Sequence, residues 1–116
     1  MKKILLIGGT TTHRALLKAA LEEAGHRVSA AITRKYTNHW LSHRIKPFDL
    51  IVYDTEEAAQ DETFWKELRE AGRPSSIVIL TSALDATDYV ALGMDRVLRR
   101  PYTIGDAVRV VDELAA

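Results

Sequence analysis

Phe48-Asp49-Leu50-Ile51-Val52-Tyr53-Asp54 is the stretch that decides the fold: an apolar run over Leu50–Tyr53, closed by a carboxylate. A strand that alternates apolar and polar residues has one wet face, whereas an unbroken apolar run fits a strand covered on both faces. Ile4–Ile7 has the same form and stops at Gly8-Gly9. Ile77–Leu80 stops at Thr81-Ser82, and Arg96–Leu98 is a short run leading to Arg100-Pro101. Val28–Ile32 reads as a further, weaker strand.

Amphipathic stretches separate these strands. Thr11 or Thr12 is placed to cap a first helix, whose apolar stripe is Leu16, Leu17, Ala20, Leu21 and Ala24, with Gly25 ending it. A second helix starts at Thr37 or Asn38, carries Trp40, Leu41 and Ile45, and ends before Pro47. Asp61 caps a third, with Phe64, Trp65, Leu68 and Ala71 on one face and Gly72 at its end. Asp85 starts a short fourth helix that Gly93 terminates. Thr103, with Asp106 three residues on, forms a capping-box variant for the last, whose inward residues are Ala107, Val110, Val111 and Leu114. Five βα units without repeat or linker predict one doubly wound α/β domain over residues 1–116, because parallel strands need helical crossovers.

Composition narrows the function. Apolar residues make up 47% of the chain and charged residues 28%, enough for a core and against disorder. Lys plus Arg and Asp plus Glu are both 16, so no strong field for nucleic acid or membrane is expected. Arg96, Arg99 and Arg100 are too few for a nucleic-acid footprint without a basic excess. Cysteine is absent, which excludes disulfides and thiolate metal sites and suits a cytoplasmic location. The apolar run after Lys2-Lys3 is too short for a signal peptide, and no run approaches a membrane span.

In an open parallel sheet, chemistry collects at the carboxyl ends of the strands. There the sequence offers Gly8, Gly9, Asp54, Thr81, Ser82 and Arg100. From Lys2 to Leu114 this pattern resembles a response-regulator receiver domain, in a degenerate form lacking the acidic metal-binding pair. The resemblance implies a three-layer flavodoxin-like fold, with five strands in the order 2-1-3-4-5 and five helices. It implies that Asp54 is the phospho-acceptor and that Thr81, backed by Ser82, contacts the phosphoryl group. Gly8 and Gly9 stand where two magnesium-binding acids are expected, Arg100 where a lysine is, and Val97 where a strand-five aromatic is.

Magnesium prefers carboxylate and water oxygens in an octahedral shell. With the acids gone, Asp54 and a backbone carbonyl near Glu56 are the remaining candidate ligands, and Glu56 or Glu57 could substitute for the lost acids. The expectation is a domain that requires no cofactor, with magnesium-dependent phosphorylation of Asp54 impaired or absent. Arg100 is expected to pair with Asp54, through two hydrogen bonds that an ammonium cannot make. The partners implied are a histidine kinase or an output protein or domain, with a homodimer allowed, inside a phosphorelay. The short span from Ser82 to Asp95 puts the usual dimer face in doubt and leaves room for a groove.

Other readings compete. Gly8-Gly9-Thr10 before a helix also suits a small Rossmann-like nucleotide-binding domain, with Arg34 and Lys35 for a 2′-phosphate, although the third fingerprint glycine falls at His13. His39 and His43, four apart, could share a zinc ion but lack a third ligand. His13 lies near the site and is placed for an anion or for solvent. Glu56, Glu57, Asp61 and Glu62 form either a cation loop or a solvated helix entry. No nucleophile–base pair is evident, so turnover by the chain itself is not expected.

Overall fold

Backbone pairing places the acid of 48–54 at the centre of a parallel sheet. The computed structural model describes residues 2–31, 48–56 and 60–116. Its strands are β1 (Lys3–Gly8), β2 (Arg27–Ala31), β3 (Leu50–Asp54), β4 (Ser76–Thr81) and β5 (Arg96–Arg99). They form one parallel sheet in the order β2-β1-β3-β4-β5. This is the expected flavodoxin-like order. Gly8 pairs with Asp54, Asp54 with Leu80, and Thr81 with Arg99, so the candidate residues share one edge of the sheet.

The helices are α1 (Thr11–Glu23), α2 (Glu62–Ala71) and α3 (Ile104–Ala115). All five residues of β3 are buried, and they alternate between two cores. Ile51 and Tyr53 face Phe64, Trp65 and Leu68 of α2. Leu50 and Val52 face Leu17 and Leu21 of α1 and Ala107, Val110 and Val111 of α3. Tyr53, Phe64, Trp65 and Tyr89 interlock edge-to-face at 4.9–5.5 Å between ring centroids. Such pairs add about 0.5–1.5 kcal/mol each to the area they bury. Among the described residues, no helix is long and apolar enough to cross a membrane.

Several local expectations are corrected. Thr10, not Thr11 or Thr12, caps α1, its side chain accepting from the His13 amide. The inner face of α1 is Arg14, Leu17 and Leu21, while Leu16 is 57% exposed. No helix runs from Asp85 to Gly93; the stretch is built from turns at 83–84 and 89–93. Asp85 and Asp88 spend their side chains on the amides of Thr87 and Ala91, and such local bonds compete with helix. Of the four expected helices that fall on the described residues, three are therefore present. Asp61 and Thr103 cap α2 and α3 as expected, the latter with the full capping box. The expected second helix, with Trp40, His39 and His43, lies outside the described residues, as do Ile32, Arg34, Lys35 and Glu57.

Candidate functional site

The end of β1 is shaped by two glycines. Both have φ of +78°, which L side chains rarely adopt. A Cβ on Gly8 would stand 2.4 Å from the Asp54 carbonyl oxygen, and one on Gly9 would stand 2.9 Å from Asp54 Oδ2. Their bareness lets this turn close over the end of β3. Arg14, buried on the inner face of α1, donates through Nη1 to the carbonyls of Gly8 (3.2 Å) and Gly9 (2.9 Å). That explains a charged residue on a core face: these carbonyls need a donor.

The Asp54 side chain is only 1% exposed, and its oxygens are engaged. Oδ1 accepts from the Glu56 amide at 2.9 Å. Oδ2 accepts from Arg100 Nη2 at 2.7 Å and lies 3.3 Å from His13 Nδ1. The same Arg100 nitrogen reaches Glu56 Oε2 at 3.3 Å. The expected two-bond grip of one carboxylate is therefore replaced by one nitrogen held between two carboxylates. Arg100 also stacks over the Tyr102 ring, 5.2 Å from its centroid, and Tyr102 Oη lies 3.4 Å from His13 Nε2. Partial burial works against the charge on Arg100, but the bond to Asp54 and its attraction outweigh this and hold the guanidinium above its ordinary pKa. Burial first, and then the Asp54 charge, push the Tyr102 phenol up to about 12.

A second cluster lies on the other side of β3. Thr81 is fully buried. Its hydroxyl donates to Asp85 Oδ2 at 2.6 Å and shares a 2.7 Å hydrogen bond with Thr55 Oγ1. Tyr89 Oη donates to the same Asp85 oxygen at 2.5 Å. Burial works to raise the Asp85 pKa, but the bonds from Thr81, Tyr89 and Thr87 prevail and hold it well below the usual carboxylate range. Burial and the bond to Asp85 raise that of Tyr89. These groups, with Gln60, Ser82 and Thr87, line a cavity of about 210 Å³. Ser82 is exposed, and its Oγ accepts the Leu84 amide.

These placements bring Gly8, Gly9, Asp54, Glu56 and Arg100 together around one carboxylate. They put Thr81 in a separate hydroxyl network and leave Ser82 outside both. Arg14, Thr55, Asp85, Tyr89 and Tyr102 were missed. For Asp85 the sequence signal was its position just beyond β4; for the others there was none.

The donor set does not fit magnesium. An octahedral oxygen shell needs free carboxylate and carbonyl oxygens. Here a guanidinium nitrogen stands between Asp54 and Glu56, and Arg14 occupies the carbonyls of Gly8 and Gly9. Among the described residues, no cluster of three His, Cys, Asp or Glu side chains is arranged to hold a metal. The glycine turn is equally unsuited to a pyrophosphate, since the Asp54 side chain fills the space beside Gly9. Among the described residues, the basic and acidic runs are engaged within the chain. Arg96 pairs with Glu113, and Arg99 donates to the carbonyls of Asp85 and Thr87. Asp61 caps α2, and Glu62 pairs with Lys66.

No family model and no curated protein sequence matches the chain. Solved structures do match it. The receiver domain of the Francisella response regulator 1452 is similar at a TM-score of 0.82 and 24% identity, over 98% of this chain and 96% of that one. A response regulator from Thermotoga maritima is similar at 0.79 and 17%, over 98% and 97%. The receiver domain of the sensor histidine kinase PA1611 from Pseudomonas aeruginosa, solved with magnesium in its active-site cleft, is similar at 0.77 and 22%, over 99% and 98%. The chain therefore has the fold of response-regulator receiver domains.

Proposed function

We propose that this chain is a receiver-like domain of two-component signalling that works through protein–protein contact, with magnesium-dependent phosphorylation of Asp54 impaired or absent. The observation that carries the reading is the 2.7 Å contact from Arg100 Nη2 to a carboxylate only 1% exposed. A nucleophilic carboxylate needs a free oxygen and a cation that neutralises charge on the transferring phosphoryl group. Here the cation is bonded to the nucleophile itself. Phosphorylation would require Arg100 to leave Asp54, exposing a buried charge before any compensating bond forms. The pair thus favours one resting conformation, which a histidine kinase or an output protein or domain would read as a fixed surface. In this reading the chain needs no cofactor and performs no turnover of its own.

Acyl-phosphate labelling tests this. The full chain, incubated with acetyl phosphate and magnesium and then with hydroxylamine, is expected to show no hydroxamate at Asp54 by peptide mass spectrometry. A hydroxamate at Asp54, absent from Asp54→Asn, would show a working acceptor and end the proposal.

A further inference from the structure

We infer that Asp85 is a latch that takes the switch hydroxyl out of service: it fixes Thr81 to the 82–95 segment, so that Thr81 has no proton to offer an anion at Asp54. The inference deepens the reading above, because it assigns a role beside the same site, but it rests on separate atoms.

A count of protons carries the argument. An ionised carboxylate only accepts, so Thr81 and Tyr89 both donate to Asp85 Oδ2, at 2.6 and 2.5 Å. A threonine hydroxyl has one proton, and that of Thr81 is thereby used. In the 2.7 Å contact between Thr55 and Thr81, Thr55 must then be the donor. The order is Thr55 to Thr81 to Asp85, with Tyr89 entering from the other side. None of the three hydroxyl protons is free. For Thr81 to bond a phosphoryl oxygen it would have to give up a charge-assisted bond, about twice as strong as a neutral one.

The latch is anchored at both ends. Asp85 Oδ1 accepts the Thr87 amide at 3.0 Å, and the Asp85 amide donates to the Ser82 carbonyl at 3.2 Å. Arg99 clasps the carbonyls of Asp85 and Thr87. Tyr89 sits edge-on to the buried Trp65 at 5.2 Å, and its carbonyl accepts the Met94 amide. The turns that replace the expected helix therefore form a cradle that points Asp85 at Thr81.

The experiment reads the Thr81 rotamer, from three-bond couplings in the labelled full chain, together with amide exchange. The wild type is expected to hold one rotamer. Asp85→Ala is expected to average it and to speed exchange at Thr87 and Met94 by about tenfold, the loss of one bond to a charged group. Arg100→Ala should leave the Thr81 rotamer single. Asp85→Asn keeps the side-chain volume, so it provides a folded alternative; its Thr81 hydroxyl proton should exchange severalfold faster. An averaged rotamer in the wild type, or couplings and exchange unchanged in the Asp85 variants, would overturn the latch. The reading of Asp54 falls on a hydroxamate and the latch on the rotamer, so either can fail alone.

Discussion

The two sides of β3 at its carboxyl end restrain their side chains by different physics. On the β1 side, Asp54 is held by the charge of Arg100 at 2.7 Å, a guanidinium that Glu56 shares, with the His13 ring nitrogen 3.3 Å away. On the β4 side, Thr81 is held by hydroxyl protons converging on Asp85, with Tyr89 leaning on the aromatic core. An ionic restraint with a partly exposed cation can be released by removing one side chain. A hydroxyl network seated on a core yields only when the core or its acceptor changes. The chain thus restrains both Asp54 and Thr81, by means that do not depend on each other.

The largest effect should come from the core beneath the second side. Trp65 is buried against Tyr53, Phe64 and Tyr89, so Trp65→Ala is expected to cost about 3–5 kcal/mol in denaturant unfolding and to loosen Tyr89 with it. A cost under about 1 kcal/mol would show that the network does not rest on this cluster.

Next in size is Arg100. Removing it leaves a buried carboxylate without its main cation, and such losses run to about 3–5 kcal/mol for fully buried pairs. The Arg100 side chain is 28% exposed, so water softens the loss, and about 1–3 kcal/mol is expected for Arg100→Ala. Because a single nitrogen makes both carboxylate contacts, Arg100→Lys should keep more than half of the difference. Equal losses for both variants would mean that the flat shape of the guanidinium over Tyr102 matters more than its charge.

The smallest effect separates the two sides by pH. The Asp85 pKa is depressed on folding, so its contribution is full above the ordinary carboxylate value and is lost as pH falls through the lower folded value. Stability of the wild type should therefore drop more steeply below about pH 4 than that of Asp85→Asn. Parallel acid profiles for the two would remove Asp85 from the account.

The sequence carried the alternation of strands and helices because it is written locally, while the strand order came from the receiver resemblance. Unbroken apolar runs mark covered strands, and Asp61 and Thr103 announce the helices they cap. The meeting of Asp54 with Arg100 was legible through the receiver resemblance, which puts both residues at strand ends on one side of the sheet. Three consecutive threonines hid which one caps α1. The stripe reading put Leu16 inward, because Arg14 on a core face makes sense only once the carbonyls of Gly8 and Gly9 are seen to need it. Asp85 was misread for a deeper reason: an aspartate that starts a helix and one that organises turns look alike in sequence. Which it becomes is decided by Thr81 and Tyr89, and these are bonds of the fold. Tyr102 and His13 meet across most of the chain length, beyond any local pattern.

In the proposed function, Arg100 occupies the cation position at Asp54 and leaves no working phosphoryl site. An amide NMR titration of the full chain with magnesium and beryllofluoride, a phosphoryl mimic, tests it most directly. No saturable shifts at Asp54, Thr81 or Arg100 are expected. Saturable shifts centred on those three residues would contradict it and make the chain a working switch.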